Sequence, residues 1–304
     1  MRPAEALAPK TDEDTPQGLG LAITAYVLWG FLPLYMKMLA HVPAAEVVAH
    51  RVIWSVPIAG AVLVALGRTR DLREALRSPR TLAMGCVTAA LVSINWGIYV
   101  WAIANDRALD AALGYYINPL FSIFLGAVLL RERLGRTQMV AVALAAVAVL
   151  VIALDAGRLP WPAIGLMLSW GFYALAKKKL PVGPNQGFLL EVLILLAPAL
   201  GYVLWLWSAG QGAFGGVMAD TWLLLGCGLV TAVPLLFYAN GAKLLRLSTI
   251  GILQYIAPTM IFLIAVFVFD EPMDRARMIA FPLIWLALVL YSVSMLRGMR
   301  RAKG

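Results

Sequence analysis

Ten apolar segments follow one another along the chain, separated by short polar stretches. Each is long enough to cross the hydrocarbon core of a bilayer as an α-helix, which takes roughly 17–25 residues. Since 62% of the residues are hydrophobic and only 13% are charged, the chain has too little polar surface to cover a soluble core. We therefore predict an all-α integral membrane protein with ten transmembrane helices, at 18–39, 43–66, 81–104, 109–130, 137–154, 161–178, 184–207, 220–243, 249–269 and 275–296.

The basic residues are distributed unevenly between the two sides of the predicted membrane. Nineteen of the 25 Lys and Arg residues fall on one side, five fall on the other, and Arg51 lies within a span. Cytoplasmic loops carry the excess of Lys and Arg, so both termini are predicted to be cytoplasmic, as an even number of spans requires. The net charge of +9 then reflects topology and does not indicate a nucleic-acid partner. The expected partners are the lipid bilayer and a small-molecule solute, with the protein a monomer or a homodimer.

A proline-containing motif occurs twice in apolar surroundings. Tyr116-Ile-Asn-Pro119 is echoed 139 residues later by Tyr255-Ile-Ala-Pro258. In each copy a glutamate follows the proline by 13 positions, Glu132 in the first and Glu271 in the second. Trp, Pro, Cys and charged positions elsewhere also match, in order, at an offset of 141, beginning with Trp-Gly-Phe at 29–31. An ordered series of such matches indicates that the chain is a duplication.

Each copy of the duplicated unit holds five predicted spans. The first is 18–154 and the second is 161–296, between a cytoplasmic tail at 1–17 and a basic cytoplasmic tail at 297–304. Because five is odd, the second copy must be inverted in the membrane relative to the first. Inverted repeats related by a pseudo-two-fold axis can exchange conformations and open a central site to one side and then to the other. The sequence therefore predicts two inverted five-helix repeats and alternating access.

The repeated prolines predict local weak points in two symmetry-related spans. Proline lacks a backbone N–H and frees the carbonyl four residues earlier, which is that of Tyr115 for Pro119 and that of Gln254 for Pro258. We consider both prolines candidate helix hinges. The alternative is that they only kink the helices so that these pack together.

Four ionisable residues of the predicted spans are candidates for a functional role, because charge within a membrane is costly and often functional. Glu46 and His50 share a helix face at i, i+4, which favours a Glu–His pair. Arg51 needs a carboxylate or a substrate anion. Glu191 matches His50 at the offset of 141. We hypothesise that these groups take up and release protons; the alternative is that His50 belongs to an internal hydrogen-bond network and Arg51 anchors the headgroup zone.

Amide, indole and phenol side chains within the spans could line a solute cavity. Such a lining stacks on an amphiphilic or aromatic solute and hydrogen-bonds its rim. An interfacial aromatic belt is the alternative for some of them, Tyr99 among them. The candidate cavity residues are Trp29, Asn95, Trp96, Tyr99, Tyr115, Asn118, Trp170, Asn240, Gln254 and Tyr255.

Sequence signals of enzymatic chemistry are not found. The chain carries no Gly-rich phosphate loop, no His/Cys metal spacing and no nucleophile beside a base in a polar setting. We therefore expect no catalytic residue, no metal, no cofactor and no enzymatic activity, and transport that is driven by a gradient or is passive.

Several stretches resemble a known family, and the similarity runs from about residue 18 to residue 297. The stretches are "AYVLWGFLPLYMK", "AHRVIWS", "NWGIYVWAIAND", "LGYYINPLFSIFLG", "LSWGFYALAKKK" and "LQYIAPT". They are similar to RarD-type members of the EamA group in the drug/metabolite transporter superfamily. The resemblance implies ten helices in two inverted repeats, a central cavity, a bacterial inner membrane and an exporter associated by name with chloramphenicol sensitivity.

From these observations we predict a secondary transporter that exports small amphiphilic metabolites or drugs, with proton coupling as a hypothesis. Uptake or exchange of amino-acid-like solutes is a second transport alternative. A membrane enzyme or a receptor is a third, but neither activity requires two inverted halves.

Overall fold

The computed structural model describes residues 14–129, 135–157, 159–245 and 247–303. Most of the predicted N-terminal tail, and the segment 130–134 with Glu132, lie outside these ranges. The described residues form twelve α-helices, a single 3₁₀ turn at Ala242–Leu244, and no strand. The helices are α1 (Pro16–Met38), α2 (Ala44–Ala65), α3 (Thr69–Arg77), α4 (Pro79–Ala104), α5 (Ala108–Leu129), α6 (Arg136–Asp155), α7 (Trp161–Lys179), α8 (Pro184–Ser208), α9 (Met218–Gly241), α10 (Leu247–Leu253), α11 (Ile256–Phe267) and α12 (Arg275–Lys303).

Local sequence accounts for several helix ends. Thr15 caps α1, because its hydroxyl oxygen accepts the Gly18 N–H at 3.0 Å, and Ser78 caps α4 in the same way. Such caps satisfy N–H groups that have no partner within the helix. α2 and α8 stop just before Gly67 and Gly210, whose φ values of +64° and +65° are readily adopted only by glycine.

Length and composition identify a multi-pass membrane protein. Seven helices within the described ranges are long and apolar enough to cross a membrane: α1, α2, α4, α6, α8, α9 and α12 up to Ser294. α11 is a shorter apolar helix. Several exposed tryptophans, Trp161, Trp205, Trp207 and Trp222, lie near helix ends, where interfacial aromatic belts are found. The predicted membrane location of a multi-pass protein is therefore confirmed.

The predicted span 249–269 is not one continuous helix, and that prediction was wrong. The segment divides into α10 and α11, with Tyr255 as the N-cap of α11. Pro258 lies in the first turn of α11, where its missing N–H breaks no intrahelical bond. By contrast, α5 continues through Pro119. The two copies of the proline motif therefore have different backbone structures.

The polar stretch between the second and third predicted spans contains a helix that the hydropathy pattern did not predict. α3 carries Arg70 and Glu74 on an exposed face, where they form an ion pair at 3.0 Å. Its Asp71 accepts a hydrogen bond from the Gln186 side-chain amide at 3.1 Å. α3 therefore lies against the beginning of α8.

Contacts between connecting segments define one end of the helix bundle, which we call the first end. It comprises the connections at 39–43, 105–107, 156–157 with 159–160, 209–217 and 268–274. His41 pairs with Asp220 at 3.0 Å, and Lys37 pairs with Asp106. A cavity of about 380 Å³ opens here; it is lined by residues of 105–110, 152–160 and 272–277.

The opposite end, which we call the second end, comprises residues 14–15, 66–78, 180–183 and 242–245. The Thr15 N–H donates to the Leu244 carbonyl at 3.2 Å, and the Gln186–Asp71 bond joins two further segments. The described connections therefore alternate between the two ends of the bundle, except on either side of 130–134, which lies outside the described ranges.

The helices between the two ends form a closely packed core. α2 packs against α8 and α9, and α1 packs against α9 and α11. α7 packs against α4 and α5, while α6 pairs with α12 and α5 with α11. These pairings place parts of α2, α4, α7, α8 and α9 around a common interior.

Candidate functional site

Polar and aromatic side chains form a buried series through this interior, which we call the polar strip. Its members come from six helices, and most are almost completely buried. They are Glu46, His50 and Arg51 on α2; Asn95, Trp96 and Tyr99 on α4; Tyr115 on α5; Ser169, Trp170, Tyr173 and Lys177 on α7; Glu191 on α8; and Thr231 on α9.

Arg51 lies at the middle of the polar strip and is only 3% exposed. Its Nε donates to the Thr231 hydroxyl oxygen at 3.0 Å. Its guanidinium carbon lies 4.6 Å from the centroid of the Trp96 ring, a cation–π arrangement. One terminal nitrogen, Nη1, has no hydrogen-bond partner, and no carboxylate among the described residues forms an ion pair with Arg51. The expected carboxylate partner is thus not supplied by these residues.

Asn95 organises the neighbouring part of the polar strip. Its side-chain NH₂ donates to the Ser169 hydroxyl at 2.9 Å, and its side-chain oxygen accepts from the Tyr115 hydroxyl at 3.1 Å. The Tyr115 ring also contacts the Trp170 ring edge-on, with centroids 6.5 Å apart. These contacts join α4, α5 and α7, and they bring together three of the predicted cavity residues.

Tyr99 belongs to the interior of the bundle and not to an interfacial belt. It is 3% exposed, its ring centroid is 5.9 Å from that of Tyr115, and its hydroxyl has no hydrogen-bond partner. A buried hydroxyl without a partner is costly, so this group has unused capacity to bind a polar atom.

The Glu46–His50 pair that the sequence favoured is not formed, and that prediction was wrong. One Glu46 oxygen accepts the N–H groups of Ala213 and Phe214, at 2.8 and 3.3 Å. His50 Nδ1 accepts from the Trp54 indole N–H at 3.0 Å, and its ring stacks on Phe214 at 4.8 Å. Ala213 and Phe214 belong to the connection between α8 and α9, about which the spacing of residues within α2 carries no information, whereas Trp54 lies one turn after His50 on α2 itself.

Glu191 has partners on α7. One carboxylate oxygen accepts from Lys177 Nζ at 2.6 Å and the other accepts from the Tyr173 hydroxyl at 3.1 Å. Glu191 is fully buried, whereas the Lys177 side chain is 23% exposed. Sequence reasoning missed Lys177 and Tyr173 as site residues. The available signal was their i, i+4 spacing, which places them on one helix face.

Trp29 lies in a separate aromatic group beside the polar strip. Its ring centroid is 5.6 Å from those of Tyr26 and Tyr238. Tyr26 and Tyr238 contact each other at 5.8 Å, so the three rings form one cluster between α1 and α9. Of these three rings, only that of Trp29 is among the cavity residues predicted from the sequence.

The remaining predicted cavity residues are placed elsewhere. The Asn240 side chain donates to the Leu236 carbonyl of its own helix at 2.8 Å. Asn118 is buried on α5, and Gln254 and Tyr255 occupy the break between α10 and α11. The printed sequence offers no means of separating these from the residues of the polar strip, because all are polar positions in apolar helices.

A further buried carboxylate at the first end was not selected from the sequence. Glu271 accepts the backbone N–H groups of Ala108 and Leu109, the second at 2.9 Å, and so caps the beginning of α5. Burial raises the pKa of Glu271, and these N–H groups and Arg277 partly offset that rise. Glu271, the second of the two repeated glutamates, therefore serves as a helix cap for α5.

A multi-pass helical bundle with a buried polar and aromatic interior is an architecture that membrane transporters use. Residues 16–154 match the model of the EamA-like transporter family. Protein RarD of Streptomyces exfoliatus is 43% identical over 295 residues, covering 97% of this chain and 94% of the relative. The uncharacterized transporter YojE of Bacillus subtilis is 40% identical over 295 residues, covering 95% and 98%. The chain belongs to the RarD-type proteins of the EamA-like transporter family.

A solved crystal structure with 20% sequence identity aligns with a TM-score of 0.60, over 92% of this chain and 97% of the other. This likeness concerns the fold alone. The resemblance read from the sequence motifs is confirmed, and the chain is a membrane transporter and not an enzyme.

Proposed function

We propose that the protein is a secondary transporter that works by alternating access between two inverted five-helix repeats, 18–154 and 161–296. In this assignment α1, α2, α4, α5 and α6 correspond in order to α7, α8, α9, α10–α11 and α12. The main support is the pattern of contacts between helices. If the halves are related by symmetry, replacing each helix by its counterpart in the other half should give the same pairs.

The pairings of the helices are conserved under that exchange. α1 packs on α9 and α11, and their counterparts α7, α4 and α5 make the equivalent contacts. The pairs α2–α8, α5–α11 and α6–α12 each map onto themselves, as contacts across a pseudo-two-fold axis should. This observation supports a bundle whose two halves can exchange conformations, which is the structural requirement for alternating access.

The polar strip is the proposed solute path. Its aromatic side chains provide stacking surfaces, and Asn95, Tyr99 and Arg51 provide polar groups away from water. Binding sites with this composition suit small amphiphilic solutes. We propose small metabolites or drugs of this kind as the substrates and export as the direction, in line with the resemblance to exporters.

The orientation follows from charge. The second end carries most of the basic residues of the described chain, including those of α3 and the three lysines at 177–179. Because Lys and Arg are retained on the cytoplasmic side, we propose that the second end and both termini are cytoplasmic in a bacterial inner membrane.

Proton coupling is proposed at Glu191. The carboxylate is buried beside Lys177 and Tyr173 near the second end, so opening of that end would expose it to water and allow protonation. His50 lies near the first end on the symmetry-related helix α2, and its Nε2 has no partner. A pair of titratable groups at opposite depths is suited to a proton relay.

The purified protein in liposomes, with an imposed pH gradient and a panel of labelled amphiphilic metabolites, tests this function. We expect counterflow of at least one solute. We also expect faster solute efflux when the imposed gradient drives protons inward, in the direction opposite to the solute. Solute movement at the same rate with and without the pH gradient would exclude proton coupling. Accumulation of solute only in the direction of uptake would favour the uptake of amino-acid-like solutes. Failure of every solute in counterflow would contradict the transport proposal.

A further inference from the structure

We infer that Arg51 forms an anion-binding subsite, so that the solute carries a single negative charge on an aromatic or apolar body. This inference rests on the proposed function, because it names the substrate class of the same path. Its basis is a buried cation that no carboxylate of the described residues pairs with.

The positive charge of Arg51 has no counter-ion among the described residues. A buried ion is costly unless it is paired and hydrogen-bonded. Among the described residues, the guanidinium donates a hydrogen bond to Thr231 and contacts the Trp96 ring, while Nη1 has no partner there. A bound anion would supply the missing charge and the missing acceptor together.

The other buried charges of the polar strip have partners of their own, although one Glu46 oxygen, Oε2, is left without a hydrogen bond. Lys177 and Glu191 form an ion pair at 2.6 Å, so they require no ligand charge. Glu46 is turned to the N–H groups of Ala213 and Phe214. Arg51 is five positions after Glu46, which is about 140° around the helix. Arg51 is therefore the cation of the polar strip that no carboxylate of the described residues pairs with, and a single negative charge on the solute would pair it.

The surroundings of Arg51 define the rest of the ligand. Trp96 is 6% exposed and lies against the guanidinium. Tyr99 and Tyr115 lie on neighbouring helices and contact each other, and the Tyr99 hydroxyl has no partner. A carboxylate or a phosphonate could accept from Arg51 and Tyr99 at once, while an aromatic body packs on the rings. Charge-assisted bonds of this kind are stronger than neutral ones.

Equilibrium binding to the purified full-length protein tests the subsite with matched probes. Hydrocinnamate carries the anion, hydrocinnamamide has nearly the same shape without charge, and phenethylphosphonate replaces the carboxylate. We expect hydrocinnamate to bind about tenfold more tightly than the amide, or better. The phosphonate distinguishes a carboxylate-selective site from one that accepts either anion. Wild-type protein that binds neither anion, or binds the amide equally well, would overturn the proposal.

Variants assign the preference to Arg51. We expect Arg51→Met to reduce the preference for hydrocinnamate over the amide to within about threefold, and Thr231→Val, which removes the Nε acceptor, to reduce it partly. Arg70→Met on exposed α3 is the matched control and should leave the preference unchanged. If Arg51→Met protein keeps the full preference, the subsite is not at Arg51.

Cysteine protection provides a measurement that does not require Arg51→Met to fold. Cys227 is fully buried on α9, one turn before Thr231, and Cys86 is exposed. In a Cys86→Ser background, hydrocinnamate should slow the modification of Cys227 by a small methanethiosulfonate several-fold, and the amide should not. Equal protection by both probes would contradict an anion site.

These binding measurements are independent of transport. Anion preference without movement of any solute would overturn the proposed function and leave the subsite in place. Transport of solutes with no preference for an anionic group would overturn the subsite and leave the proposed function in place.

Discussion

Individual residues show three different ways of accommodating charge in this bundle. Glu191 is ion-paired with Lys177 at 2.6 Å, and Glu271 accepts backbone N–H groups at a helix end. Arg51 has a hydroxyl and an indole ring, but no carboxylate among the described residues. Since a lone buried charge is the most costly of the three, Arg51 is the residue whose environment most needs a functional explanation.

Replacement of Glu191 by glutamine is predicted to reduce both stability and proton coupling. Breaking a buried ion pair costs ~3–5 kcal/mol. Because Lys177 is partly exposed, Glu191→Gln should lower the free energy of unfolding by ~3 kcal/mol or less. Thermal unfolding in detergent and gradient-driven efflux from liposomes measure the two effects. Full retention of gradient-driven transport would remove Glu191 from the mechanism.

Two companion variants show whether the stability effect belongs to the ion pair. Lys177→Met combined with Glu191→Gln should recover much of the lost stability, because no unpaired charge remains. Glu74→Gln, at the exposed Arg70–Glu74 pair, should change the free energy of unfolding by less than ~0.5 kcal/mol. A double variant no more stable than Glu191→Gln would argue against coupling of the two side chains.

Between whole helices, small residues decide how closely the backbones approach. A Cβ atom added at Gly228 on α9 would meet the backbone of Trp54 on α2. A Cβ atom added at Gly201 on α8 would have nothing within 4 Å. Close helix contacts in membranes commonly depend on such small residues.

These two glycines give a matched prediction for the α2–α9 contact. Gly228→Ala should destabilise the protein by ~1–3 kcal/mol through overpacking against backbone atoms that cannot rotate away. Gly201→Ala should be neutral or stabilising by up to ~1 kcal/mol, because alanine favours the helix. Thermal unfolding of both variants is the measurement, and equal midpoints would show that α2 and α9 are not so close.

We expect the break between α10 and α11 to act as a hinge in the conformational change of transport. Pro258→Ala restores an N–H that can donate to the Gln254 carbonyl four residues earlier, so that one helix could continue through the break. We expect unchanged or higher thermal stability and a several-fold slower initial rate of counterflow. Pro198→Ala, at an exposed proline inside α8, is the control and should transport at the wild-type rate. A normal rate for Pro258→Ala would exclude a hinge at this proline.

At the scale of the whole molecule, the proposed inversion of the two halves predicts a specific topology. Arg136 is the first residue of α6, and Asp270 lies in the connection just before α12, the counterpart of α6 in the second repeat. We expect single cysteines at these positions, in a background without Cys86 and Cys227, to be labelled from opposite faces of the membrane. An impermeant thiol reagent applied to right-side-out and inverted vesicles makes the measurement. Labelling of both from one face would contradict inverted repeats and the transport mechanism built on them.

The sequence determined the class of this protein and the positions of most of its helices. Apolar segments long enough to cross a bilayer are visible in composition alone, and nine of the ten predicted segments each coincide with one helix. The exception, 249–269, contains a break at Gln254 and Tyr255 that an apolar run does not reveal. The motifs around His50 and Tyr116 were sufficient to identify the family.

Only the tertiary structure decided which polar side chains meet. Helices in this bundle are apolar on nearly every face, because lipid and protein interior are alike in polarity, so the periodicity that marks the buried face of a soluble helix is lost. Arg51 therefore finds Thr231 180 residues away, and Glu46 binds the connection before α9 instead of His50. Such partners depend on how the helices are arranged, and local sequence does not contain that arrangement.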